Sequence, residues 1–122
     1  MNGDTNDFFV QYNKIDLIKN VVVAYIDQAP VGCGAIKEYD AHTMEVKRMF
    51  VLPEMRGKGI ASAILLELEN WARELGYKKC LLETGTNMLD AIALYKKMGY
   101  EKVANYGQYV GVENSVCFGK RM

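Results

Sequence analysis

Histidine is almost missing from this chain: among 122 residues there is one, His42, and beside it only three cysteines, Cys33, Cys80 and Cys117. The cysteines are odd in number, far apart and set in apolar, strand-like stretches. That pattern excludes a disulfide or zinc framework and reads as buried free thiols in a reducing cytoplasm. A nucleophilic cysteine needs a basic partner, and His42 sits in an apparent turn, so thiol catalysis is set aside and no metal site is expected. Charge of one sign is lacking too. Fifteen basic and fifteen acidic residues cancel, which leaves no basic field to attract nucleic acid. Apolar runs such as VVVAYI at residues 21–26 fall far short of the roughly 20 residues a membrane helix needs. The opening MNGDTNDFF has neither the basic region nor the apolar core of an export signal. A cytoplasmic protein with no membrane partner is expected.

What is present is a composition half hydrophobic, enough for a real core within one domain spanning residues 1–122. An enzyme or small-ligand binder is the natural class. The most informative stretch is residues 45–76, EVKRMFVLPEMRGKGIASAILLELENWARELG. It opens as a strand rich in β-branched and aromatic residues, stopped by Pro53, which cannot donate to a ladder. Arg56-Gly57-Lys58-Gly59 follows, and then Ile60, Ile64, Leu65, Leu68, Trp71, Ala72 and Leu75 recur at helical spacing until Gly76 ends the helix. The first N–H groups of a helix lack partners within it, and its dipole adds partial positive charge there. A phosphate or pyrophosphate fits such a place, with Arg56 and Lys58 adding charge. A loop that only turns the corner is the plain rival, because short glycine motifs often match by accident.

Around that stretch the chain reads as α/β. A short helix is expected at residues 5–14, a strand at 21–26, a turn at 27–30, a returning strand at 31–38 and a turn at 40–43 that leads into the strand near Met44. Those strands make an antiparallel meander. Gly32 and Gly34 suggest a bulge or close packing. A strand at 79–84 follows the long helix and should pair in parallel with the strand at 45–52. Asn87 or Thr86 can cap a second helix whose inward face is Ala91, Ile92, Tyr95 and Met98. Residues 100–103 and 115–120 read as a final strand pair, joined by a loop carrying Tyr106 and Tyr109.

The VKRMFV strand with its proline stop, the RGKGIA loop and the ALYKKMGY segment after LETGTN together resemble the GNAT family of N-acetyltransferases. The family's loop pattern, Arg or Gln, two residues, Gly, one residue, Gly or Ala, is met by Arg56, Gly59 and Ala61. The resemblance runs over about residues 21–120. It implies a mixed, mostly antiparallel sheet of about six strands, helices on both faces, and a central parallel pair splayed to admit acetyl-CoA. It also implies that the cofactor arm pairs with the backbone of Met49, Phe50 and Val51. The pyrophosphate would lie on Arg56, Gly57, Lys58, Gly59, Ile60 and Ala61, with Ser62 adjacent. Asn87 matches a position that contacts the arm, and Tyr95 one near the thiolate.

The implied reaction moves an acetyl group to a primary amine by direct attack in a ternary complex. An amine of pKa about 10 is mostly protonated at neutral pH, so a base must take its proton. Glu45 falls where the histone-acetylating branch of the family carries its catalytic glutamate, and strand alternation puts Glu45, Lys47, Met49 and Val51 on one face. An N–H near Phe50 or Val51 would stabilise the oxyanion of the tetrahedral intermediate, and Tyr95 would protonate or hydrogen-bond the leaving thiolate. Each role has a rival. Glu45 also fits a solvated strand residue, with Glu83 the next candidate for base. Tyr95 also fits a core aromatic, Asn87 a mere cap, and Tyr106 and Tyr109 either the acceptor pocket or pins for the last hairpin.

Only about twenty residues precede Val21, where the family has a strand and two helices. The first strand and part of the helical region are expected to be missing, which opens the acceptor site or calls for a homodimer. The acceptor, a small molecule or a protein amine, is left open. A non-catalytic acyl-CoA sensor on the same fold is the alternative of another class. A dinucleotide-binding fold is a third reading, carried by Gly57-x-Gly59-x-x-Ser62 and by Glu83 at the end of the next strand.

Overall fold

The computed structural model describes residues 20–122. The helix expected at residues 5–14 lies outside them. Six strands form one sheet in the order β1-β2-β3-β4-β6-β5: β1 (Asn20–Ile26), β2 (Ala29–Asp40), β3 (Thr43–Val51), β4 (Lys79–Gly85), β5 (Glu101–Val103) and β6 (Ser115–Arg121). Helix α1 (Ile60–Glu74) joins β3 to β4, and α2 (Leu89–Lys97) joins β4 to β5. Only β3 and β4 pair in parallel; β1–β2, β2–β3, β4–β6 and β5–β6 are antiparallel. One parallel pair cannot make a doubly wound sheet, so the dinucleotide-binding reading is dropped.

The first turn is tighter than the sequence suggests. Asp27 and Gln28 both take positive φ, 50° and 68°, the conformation that matches a two-residue hairpin to strand twist. Ala29 and Pro30 therefore already belong to β2. The second turn is fixed by Asp40, whose Oδ1 accepts the His42 N–H at 2.9 Å. After β3, Pro53 opens a single 3-10 turn, Pro53–Met55, and the strand stops as its ring requires.

One face of the sheet holds the core. Met44, Val46, Cys80, Leu82 and Phe118 from the strands pack with Ile64, Leu65, Leu68 and Ala72 of α1 and Tyr95 of α2. Both described helices lie on this face, and among the described residues no helix covers the other, where the sequence leads one to expect helices on both. Gly34 is needed where α1 comes closest: a Cβ there would fall 2.7 Å from Met49 Sδ and 2.8 Å from Ile64 Cγ2. No helix among the described residues is long and apolar enough to cross a membrane.

The alternation expected along β3 does not survive. Ala35 pairs with Lys47 but Cys33 pairs with Phe50, so one extra residue is inserted in β3, and Arg48 at φ 60° is that bulge. A bulge reverses the facing of everything beyond it. Glu45 and Lys47 lie on the face away from the helices, whereas Met49 and Val51 turn to the core beside Gly34 and Gly32.

Candidate active site

The two central strands pair over only three positions, Thr43↔Lys79, Met44↔Cys80 and Glu45↔Leu81. Both then continue, β3 to Val51 and β4 to Gly85, while β4 stays paired on its other side to β6 through Gly85↔Ser115. From Val46 and Leu82 onward the facing edges have therefore parted. The Arg48 bulge supplies the bend, since bulged strands turn and twist away from their partners. An opening edged by strand backbone accepts an extended ligand with amides of its own, by the same bonds as an added strand.

Helix α1 begins at the mouth of this opening. Its N-cap is Gly59, φ 81°, with no side-chain cap and no acidic residue in the first turn. Gly57 is also left-handed at φ 80°, and a Cβ on either glycine would meet no atom within 4 Å. The first N–H groups are thus unsatisfied by side chains and face open space, flanked by exposed Arg56 and Lys58. That arrangement favours an anion. Arg56 is also tied to the strand: its Nε donates to the Val51 carbonyl at 2.9 Å, and its guanidinium lies 5.7 Å from the Phe50 ring centroid. A groove of about 290 Å³ between β1 and α1 is lined by Val22, Glu67, Asn70, Trp71 and Glu74. Two carboxylates in its wall give it the wrong charge for a pyrophosphate.

Glu45 stands at the last paired position, 8% exposed. Its Oε2 accepts the Tyr106 hydroxyl at 2.9 Å and lies 3.8 Å from Lys47 Nζ. Burial and then the Glu45 carboxylate push Tyr106 well above the ordinary tyrosine range, so it donates and stays protonated. Tyr109, raised to about 12 by burial and then by Glu45 and Glu83, is a neighbour of the same kind. Glu83 accepts from Ser115 Oγ at 2.6 Å. Tyr95 is 6% exposed, with Tyr100 and Phe118 as ring neighbours, and is raised first by burial and then by Glu83. It is a core aromatic whose hydroxyl is also sensitive to the Glu83 side of the opening. Asn87 does not cap α2. Met88 is the N-cap and no side chain caps it, and Asn87 Oδ1 instead folds back to within 2.9 Å of where a Gly85 Cβ would stand.

The bond from Tyr106 to Glu45 joins residues 61 positions apart in the chain, and no local pattern announces it. The sequence marked Tyr106 as an aromatic for the acceptor pocket or a pin for the last hairpin, not as a partner of Glu45. The cysteines behave as their apolar settings imply: burial raises Cys33 and Cys80 from 9.0 to about 11. Native thiols are expected to react with a thiol reagent far more slowly than unfolded ones at pH 8. Thiols ionise in the unfolded chain near 9 and in the folded chain near 11. Stability should therefore be full below the first value and fall as pH rises between the two. Urea midpoints at pH 8 and pH 10.5 check this; an equal or higher midpoint at the upper pH would contradict it.

An antiparallel meander, one parallel pair that parts, and a glycine-lined helix start at the parting define the splayed-sheet class of acyltransferase folds. The profile of the acetyltransferase (GNAT) family matches residues 4–100, and the chain belongs to that family. An IAA acetyltransferase of Azospirillum brasilense is 44% identical over 80 residues, which cover 65% of this chain and 52% of that protein. A Klebsiella pneumoniae protein assigned to the acyl-CoA N-acyltransferases superposes with a TM-score of 0.81 at 28% identity, over 97% of this chain and 85% of that one. A GNAT acetyltransferase from Elizabethkingia anophelis, solved with acetyl-CoA bound, has the same fold at TM-score 0.74 and 18% identity, over 84% and 75% of the two chains. The chain spans about half the length of the curated relatives it matches.

Proposed function

We propose that this protein transfers an acetyl group from acetyl-CoA to a primary amine by direct attack within a ternary complex. The observation that carries the reading is the parting of β3 and β4 immediately after Glu45, with an uncapped, acid-free helix start at the same opening. Acetyl-CoA supplies the acyl group already activated as a thioester. Backbone groups of Met49, Phe50 and Val51 hold its amide arm. The Val51 carbonyl is engaged by Arg56, so that residue contributes through its N–H. Residues 56–62 hold the pyrophosphate by free N–H groups and the charges of Arg56 and Lys58. Asn87, freed from capping, reaches the arm from the β4 side. Glu45 takes the proton of the acceptor amine, and Tyr95, kept protonated by burial, donates to the leaving sulfur.

Thermal unfolding with and without acetyl-CoA tests the cofactor site, with NAD as control. Ligand at about a hundred times its Kd adds about 2.7 kcal/mol, a rise of about 10 °C for a domain of this size. Thiol release with a panel of amines then separates an enzyme from a sensor. A rise with NAD, or none with acetyl-CoA, would reject the assignment of the opening.

A further inference from the structure

We infer that the loop between β5 and β6 is a positioning device for the Glu45 carboxylate, with Tyr106 as the residue that holds it and Asn105 as the residue that fixes the loop. Asn105 Nδ2 lies 3.1 Å from the Tyr109 carbonyl, 3.2 Å from that of Val112 and 3.1 Å from that of Ser115. One side-chain amide thus gathers three points of a loop that otherwise has only short turns. The next residue, Tyr106, is thereby brought to Glu45 Oε2 at 2.9 Å. Its ring stands edge-on to Tyr39 at 5.2 Å and to Tyr109 at 5.5 Å, so the hydroxyl is held from both sides. A carboxylate with two equivalent oxygens gains a single working orientation when one of them is engaged. The other oxygen is left for the acceptor.

Other charges also act on Glu45. Lys47 on β3 is 3.8 Å away, and Lys37 is its register partner on β2. From β4 and β6, Glu83 and Cys117 act on the same group of tyrosines. The lysines and the Tyr106 hydroxyl complement the charge of the carboxylate, whereas Glu83 repels it. Removing the Tyr106 hydroxyl takes away the hydrogen bond that orients Glu45 Oε2.

The inference rests on the proposal that Glu45 is the base, so two kinds of readout are required. In Tyr106→Phe, kcat should fall about tenfold, the scale of a lost bond to a charged group, while the KM for acetyl-CoA stays as it is, because the bond from Tyr106 orients Glu45 and not the cofactor. Combined with Glu45→Gln, Tyr106→Phe should cause no further loss. Asn105→Ala should reproduce the loss in kcat with Tyr106 intact, and circular dichroism should show each variant folded. An unchanged kcat in Tyr106→Phe would overturn the inference, as would full additivity with Glu45→Gln. Full activity in Glu45→Gln alone would instead remove the base assignment beneath it, and that result is read without any change at Tyr106.

Discussion

Glu45→Gln should lower kcat toward a good primary amine by about a hundredfold or more, the usual scale of general-base assistance. Glutamine keeps the shape and can still accept the Tyr106 hydroxyl, which lies 2.9 Å from Glu45 Oε2. Basicity is lost, and with it the charge that faces Lys47 Nζ at 3.8 Å. Because an amine of pKa about 10 sheds its own proton as the pH climbs, the gap between variant and parent should be widest near pH 7 and narrow toward pH 10. Measuring kcat/KM across that range checks the direction as well as the size. Identical profiles in the two proteins would eliminate Glu45 as base. Glu83, paired with Ser115 Oγ at 2.6 Å, would then be the carboxylate to replace.

The second large effect is expected far from the opening, at Glu69. This residue of α1 is 0% exposed, and its two oxygens are divided between Tyr100, at 2.8 Å, and Lys120 Nζ, at 3.0 Å. The pair fastens α1 to β6 and to the residue that enters β5. Glu69→Ala leaves an ammonium and a hydroxyl without their partner, and breaking such a buried pair costs about 3–5 kcal/mol. For a domain of this size the melting temperature should drop by about 12–20 °C. Glu69→Leu with Lys120→Met should regain much of the loss, since an apolar replacement of both partners is often neutral. A single-variant shift below a few degrees would mean that water reaches and solvates the pair.

Helix spacing in residues 60–74 shows which face is buried, but it does not single out Glu69, a carboxylate that is 0% exposed. Its partners lie 31 and 51 residues away, and only packing brings them together. Asn87 shows the opposite error. Its type suits an N-cap, but the chain after β4 places Met88 at that position, because propensity yields to the path that tertiary contacts impose.

The sequence by itself determined the order of strands and helices, the proline stop, the glycine-bearing helix start and the family. Each depends on local chemistry: proline's missing N–H, glycine's freedom at positive φ and the period of apolar residues. Tertiary structure alone decided where β3 and β4 part, which way β3 faces beyond Arg48 and what holds the Glu45 carboxylate. The bulge sets Arg48 at φ 60°, a conformation uncommon outside glycine, and the pairing of β2 with β3 on either side of it holds it there. The bond between Tyr106 and Glu45 likewise exists because the sheet places the final loop beside the last paired residue of β3.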